Sequence, residues 1–142
     1  MAALIACLIH DVGHPGVNTP FLIAIGHLKA IRYNDKSVLE NHHLAIGFKI
    51  LLDPQNDIFE SLSEAQTWSI RQQIIKMVLA TDISKHNELI MNFKSKAKTN
   101  SFKDDKQLMM NMLLYAADHS SPCKPTLIYF KWVADMMEEF YQ

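Results

Sequence analysis

Little in this chain favours strands, linkers or cross-links. Four glycines and five prolines are spread over 142 residues, so no Pro/Gly-rich linker divides it. Period-two alternation is almost absent, which argues against a sheet-based fold. What remains reads as helices joined by polar turns, an all-α fold in a single unit over residues 1–142. Two cysteines occur, Cys7 and Cys123, in apolar segments without paired or metal-like spacing. They argue against a disulfide framework and for two buried thiols in a reducing, cytoplasmic compartment. Neither sign of charge dominates: a net charge of -1 and a pI near 6.6 leave no electrostatic footprint for a nucleic-acid polymer or an anionic membrane. The expected partner is therefore a small molecule.

Long hydrophobic runs are missing too. Residues 1–9 are apolar but have no basic leader and are too short to span a bilayer. Nothing before Ala2 resembles a cap, so this segment is expected to be a core helix whose beginning lies upstream. A hydrophobic content of 49% suffices for a real core, since a chain of this length buries roughly two thirds of its unfolded surface.

Helical spacing and caps then divide the chain. A first helix is expected over 1 to about 12, broken by Pro15-Gly16, and a short apolar segment over about 21 to 31. Ser37-Val38-Leu39-Glu40 has the form of a capping box, which starts a central helix running to Leu52. Asp53-Pro54 stops it, and Ser61 or Ser63, with Glu64 or Gln66, caps the next, which carries Ile70, Ile74 and Val78 and ends near Thr81-Asp82. Asp82 or Ser84 caps a successor that gives way at Lys94 to a polar stretch running to Ser101, expected as a solvated loop. Residues 104 to about 118 should bury Leu108, Met109, Met112, Leu113 and Ala116. A last helix from Pro125 carries Ile128, Trp132, Met136 and Phe140 at four-residue steps, as ordinary core packing would.

The chemistry concentrates where the first helix meets Pro15-Gly16: His10, Asp11 and His14 stand within five positions. A carboxylate among apolar neighbours costs several kcal/mol of desolvation unless it is paired or binds a cation. Asp11 therefore either caps a local turn or ligates a divalent metal, and the donor set suits zinc, magnesium or both. Asp118 tilts the balance, because a carboxylate at a helix C-terminus opposes the dipole and calls for a cation. Glu40-Asn41-His42-His43 is a second polar knot, which bonds either core elements or waters beside a metal. His27, His86 and His119 lack supporting carboxylates and are expected to be structural or at the surface.

Four ordered strings carry a family resemblance: His-Asp-Val-Gly-His-Pro-Gly-Val-Asn at 10–18, Tyr-Asn-Asp-Lys-Ser-Val-Leu-Glu-Asn-His-His at 33–43, Leu-Ala-Thr-Asp-Ile-Ser-Lys-His at 79–86 and Ala-Ala-Asp at 116–118. Together they resemble the class I cyclic-nucleotide phosphodiesterases, the middle strings most of all the cAMP-specific branch, and the similarity runs to Phe140. The resemblance implies a compact multi-helix bundle, the central part of an HD-type catalytic domain. It implies zinc and a second divalent ion, magnesium or manganese, sharing a hydroxide and Asp11. His10 and Asp118 match zinc ligands, and His14, Glu40 and Thr81 match residues that hold the metals' waters. Tyr129, Trp132, Met136 and Phe140 match the lining of the nucleotide pocket. The implied reaction opens cAMP or cGMP to the 5'-monophosphate in signal transduction.

The chain departs from that pattern. It contains no His-Asn-x-x-His string, which in the family supplies the general acid and another zinc ligand, and lacks the purine-clamping glutamine and stacking phenylalanine beyond Phe140. Ser121 stands for a base-contacting asparagine and Tyr115 for a frequent histidine. Weak turnover by this chain alone is the expectation, since such acid catalysis contributes typically ~10²–10⁴-fold. Two other classes stay open: a His-Asp phosphohydrolase with other substrates, and an inactive helical module that binds a partner or nucleotide.

Overall fold

The computed structural model describes residues 1–99 and 101–141. Among them are eight α-helices and no strand: α1 (Ala2–Ile9), α2 (Thr19–Ala24), α3 (Leu28–Tyr33), α4 (Val38–Leu51), α5 (Glu64–Leu79), α6 (His86–Lys98), α7 (Lys106–Asp118) and α8 (Thr126–Tyr141). Single 3₁₀ turns at Ile83–Lys85, Phe102–Asp104 and Ser121–Cys123 lead into or link the later helices. No helix among the described residues is long and apolar enough to cross a membrane.

The core forms where α1, α4, α5 and α7 meet. Ala2, Ile5, Ala6 and Ile9 recur at helical spacing and are all buried, and α1 packs on α5, α7 and α4. The small Ala2 and Ala6 let the neighbouring helices approach. Ile5 and Ile9 join Leu44, Phe48, Phe59, Ile74, Met77, Val78 and Leu114 in one core. Each large apolar side chain buried there contributes roughly 1.5–3 kcal/mol. Gly47 belongs to this contact, because a Cβ at that position would lie 2.7 Å from Ile9 Cδ1 and 3.0 Å from Ile9 Cβ.

Smaller clusters hold the periphery. Leu22, Ala30, Val38 and Leu39 bind α2 and α3 to the start of α4, and Leu89, Leu108 and Tyr115 bind α6 to α7. The apolar segment at 21–31 is two helices rather than one, because Gly26 takes φ +62 and His27 caps α3 through Lys29 N at 3.1 Å. The first helix stops at Ile9, three residues short of expectation, in a turn where Gly13 adopts φ +71.

Ser63 and Gln66 form the expected capping box. Ser37 does not: it precedes α4 at φ +44, and its side chain makes no cap bond. The expected loop after Lys94 is helical to Lys98, where Lys96 Nζ donates to Asp105 Oδ2 at 2.6 Å; its Asn100 lies outside the described residues. On α7 the buried side chains are Leu108, Leu114 and Tyr115. Leu113 and Ala116 face out instead, because the face turned to α1, α5 and α6 is set one position on. The four-residue stripe of α8 is not core either: Ile128, Trp132, Met136 and Phe140 are all exposed. Cys7 and Cys123 are free and exposed, contrary to the buried thiols expected.

Candidate metal centre

Three elements bring the site together. The end of α1 and its turn supply His10 and Asp11, the end of α7 supplies Asp118, and the direct packing of α1 on α7 closes the gap in sequence. One ligand atom from each of His10, Asp11 and Asp118 lies within 4.8 Å of the others, the size of a shared cation site. His10 Nε2 is 3.4 Å from Asp11 Oδ2 and 3.5 Å from Asp118 Oδ1.

The local hydrogen bonds aim the donors. His10 Nδ1 donates to the Cys7 carbonyl at 2.8 Å, which leaves Nε2 to face the carboxylates. The Asp118 side chain, followed by the Cys7 carbonyl and then the charge of Asp11, raises the His10 pKa from 6.5 to about 9 against the opposing effect of burial. Without a cation, a proton on His10 balances the pair of acids.

His43, which the sequence left undecided, belongs here. It is buried to 2% exposure, its Nδ1 donates to the Val12 carbonyl at 2.9 Å, and its Nε2 lies 3.7 Å from Asp11 Oδ1. Burial lowers its pKa, so the neutral ring turns a lone pair toward a carboxylate oxygen. Two facing acceptors require a proton donor or cation between them. The available signal was position: His43 stands one turn after Glu40, on the same face of α4. His42 faces elsewhere, toward Gly13, and burial, then Lys29, lowers its pKa.

Glu40 and Thr81 come from α4 and the residue pair after α5. Glu40 Oε2 is buried without a hydrogen-bond partner. Burial raises its pKa from 4.5 to about 7, with Asp82 and Asp11 adding to the effect and Lys85 opposing it. Thr81 Oγ1 donates to the Val78 carbonyl at 2.8 Å, which leaves its lone pairs free to accept. His14 Nδ1 accepts from Gly16 N at 3.1 Å, so its proton sits on Nε2, and its ring stacks on His43 with centroids 5.6 Å apart. An orphaned buried carboxylate oxygen, an inward lone pair on His43 and a tight acid pair are the donor set a hydrated divalent ion satisfies.

The site opens to solvent through Asp11, whose side chain is 63% exposed. A cleft of about 330 Å³ is lined by His10, Asp11, Asp118, Ser121, Lys124 and Trp132. Trp132 and Ser121 also line a second cleft of about 390 Å³, with Tyr129 and Met136. Three of the four proposed pocket residues thus flank one opening, and Phe140 lines neither cleft. His119, read as a bystander, has Nδ1 3.5 Å from Asp118 Oδ2 and stacks on Tyr115 at 4.2 Å. Tyr115 in turn bonds His86 Nδ1 through its hydroxyl at 2.7 Å.

A family model described as 3'5'-cyclic nucleotide phosphodiesterase matches residues 1–142. The chain is 44% identical over 152 aligned positions to 3',5'-cyclic-AMP phosphodiesterase 4C of Rattus norvegicus, covering 100% of this chain and 28% of that protein. It is 41% identical to the Drosophila melanogaster 3',5'-cyclic-AMP phosphodiesterase, isoform F, over 98% of this chain and 22% of that one. Among solved structures, the phosphodiesterase domain of Salpingoeca rosetta rhodopsin phosphodiesterase superposes with a TM-score of 0.92 at 33% identity, covering 98% of this chain and 44% of that one. The chain thus spans under a third of the length of these curated relatives.

Proposed function

The chain belongs to the 3',5'-cyclic nucleotide phosphodiesterase family, and from that premise we propose that it is part of a catalytic domain, residues 1–142, that hydrolyses cAMP or cGMP to the 5'-monophosphate in signal transduction. The observation that carries the reading is the convergence of His10, Asp11 and Asp118 within 4.8 Å, beside a buried Glu40 oxygen that nothing else satisfies.

In this reading His10, Asp11 and Asp118 would hold zinc, Asp11 would also serve a second ion, magnesium or manganese, and Glu40, Thr81, His14 and His43 would hold the metals' waters. When bound, two such ions supply an activated water and neutralise the phosphate oxygens. The chain's own residues do the rest. Cys7 and Val12 carbonyls fix the tautomers of His10 and His43, and Trp132 and Tyr129 offer flat faces beside the metal cleft, which suit a purine. A proton for the departing 3'-oxygen has no matching donor, since no His-Asn-x-x-His string occurs in these residues. Unpaired Cys7 and Cys123 support a reducing, cytoplasmic setting.

The test is metal content together with turnover. The chain should retain stoichiometric zinc, lose it in Asp118→Ala, and hydrolyse cAMP or cGMP slowly and only with divalent metal. Selective cleavage of other phosphodiesters in a substrate panel would point instead to a broader phosphohydrolase. A chain that takes up no zinc overturns the reading. Retained metal with no hydrolysis at any concentration would support a second reading, a helical module that binds nucleotide without turnover.

A further inference from the structure

Glu40 lies on α4 and Thr81 in the turn after α5, and a polar clamp outside the metal centre ties the start of α4 to that turn. Ser37 Oγ donates to Asp82 Oδ2 at 2.6 Å. Lys85 Nζ donates to the same Ser37 oxygen at 2.8 Å and to the Leu79 carbonyl at 3.2 Å, and lies 3.9 Å from Asp82 Oδ2. The other Asp82 oxygen accepts from Ser84 N at 2.9 Å and Ser84 Oγ at 2.7 Å. Asp82 is 8% exposed and both its oxygens are occupied. Ser37 stands one helical turn before Glu40, and Asp82 directly follows Thr81.

Local physics alone would arrange this segment differently. Ser37 sits at φ +44, after Asn34 at φ +53 and Asp35 at φ +60; asparagine and aspartate enter the left-handed region comparatively readily, but a serine held there is strained. A serine at the start of a helix ordinarily offsets its ordering by capping it. This one leaves α4 without a side-chain cap and gives its hydroxyl to a carboxylate on another element, a charge-assisted bond stronger than one between neutral groups. Asn41 reinforces the bend by donating to the carbonyls of Lys36 and Ser37 at 2.9 and 3.0 Å. Backbone strain retained against a cheaper local alternative, beside a site, is expected where the strain sets a geometry.

We propose that Ser37, Asp82 and Lys85 are positioning residues that fix the separation of Glu40 and Thr81, and so set the affinity for the second cation while leaving the zinc ligands untouched. The inference rests on the two-ion reading above and deepens it. Its test uses the intact chain with zinc and manganese as probes, zinc by elemental analysis and manganese by paramagnetic resonance titration. Asp82→Asn removes the charge and one of the two acceptor oxygens, so the Ser37 side and the Ser84 side cannot both stay satisfied. Ser37→Gly fits φ +44 without strain and removes the hydroxymethyl group.

Both variants should keep stoichiometric zinc and bind manganese about 10–100-fold more weakly, the usual effect of removing a residue that orients a metal's surroundings. Ser37→Thr, which keeps the hydroxyl, should hold manganese more tightly than Ser37→Gly despite its backbone strain. Unchanged manganese affinity in Asp82→Asn and Ser37→Gly overturns the proposal. So does parallel loss of both metals, which would make the clamp a general support of the fold, and so does a wild-type chain that binds zinc but no manganese. Absence of zinc from the wild-type chain instead overturns the metal reading on which the proposal rests.

Discussion

His10 Nε2 lies 3.5 Å from Asp118 Oδ1, so the end of α1 and the end of α7 meet through one imidazole and one carboxylate. That contact holds a proton in the metal-free chain. The His10 pKa is raised from 6.5 to about 9, chiefly by Asp118. A raised imidazole contributes stability that is complete below about pH 6.5 and lost as pH climbs through about 9.

Zinc must displace that proton. Affinity for zinc should therefore rise with pH across the neutral range and level off above about 9, where His10 is already neutral. Calorimetry at pH 7.5 in two buffers of different ionisation enthalpy reads the released proton directly. Identical apparent enthalpies in the two buffers would refute the exchange.

Asp118→Ala removes the largest cause of the shift, so the His10 pKa should fall toward 6.5 in an imidazole NMR titration, and zinc should be lost. Stability at neutral pH should fall, because the variant gives up the largest part of the His10 contribution and regains only the relief of a carboxylate opposed to the α7 dipole, a term of about 0.3–1 kcal/mol. Above about pH 9, where His10 is neutral in either chain, that loss should vanish, and a drop in Tm that persists there would mean that Asp118 is structural first.

The regular parts of this architecture were legible because they are local. Ser63 and Gln66 need only each other to cap α5, and the spacing of Ile70, Ile74 and Val78 is a property of one helix. Ser37 misled because its partner, Asp82, is brought in by tertiary packing, and a capping pattern cannot reveal a competing acceptor. The α8 stripe misled for the opposite reason: Ile128, Trp132, Met136 and Phe140 have helical spacing but no covering element among the described residues. Asp11 and His10 were visible as adjacent donors. Which ring of the His42-His43 pair faces Asp11 depends on the roll of α4 against α1, which the residues Leu44, Gly47 and Phe48 set only once packed.

Glu40 should trade stability for metal binding. Its carboxyl is raised from 4.5 to about 7 by burial, so in the metal-free chain its contribution is complete below about pH 4.5 and is lost as pH rises through about 7. Glu40→Gln keeps the shape and removes the charge. At pH 8 without metal it should be more stable than wild type by roughly 1–3 kcal/mol, the range for an unpaired buried group; at pH 5 the two should converge. Denaturant midpoints at both values check this, and equal gains at both would detach the effect from ionisation. The same variant should bind manganese more weakly.

Two glycines near the site should respond differently to alanine. Gly47→Ala gains about 1 kcal/mol in helix propensity but drives a methyl to within 2.7 Å of Ile9 Cδ1 and 3.0 Å of Ile9 Cβ, and overpacking of this kind costs typically about 1–3 kcal/mol. The β-carbon cannot swing aside as the terminal methyl can, so the clash should win and the chain should lose up to about 2 kcal/mol. Gly13→Ala has no helical gain to set against it: φ +71 penalises any side chain by roughly 1–2 kcal/mol, and Ile46 Cδ1 fills the space. Because Gly13 shapes the turn between Asp11 and His14, its loss should extend to zinc affinity, while Gly47→Ala should act mainly on folding. Shortening Ile9 to alanine in the Gly47→Ala background removes the Cδ1 contact and leaves only the tighter-than-usual approach to Ile9 Cβ at 3.0 Å. The two changes should then couple by about 0.5–3 kcal/mol in a double-mutant cycle. Simple additivity there would show that α1 and α4 are free to move apart, and that the position of His10 does not depend on the contact.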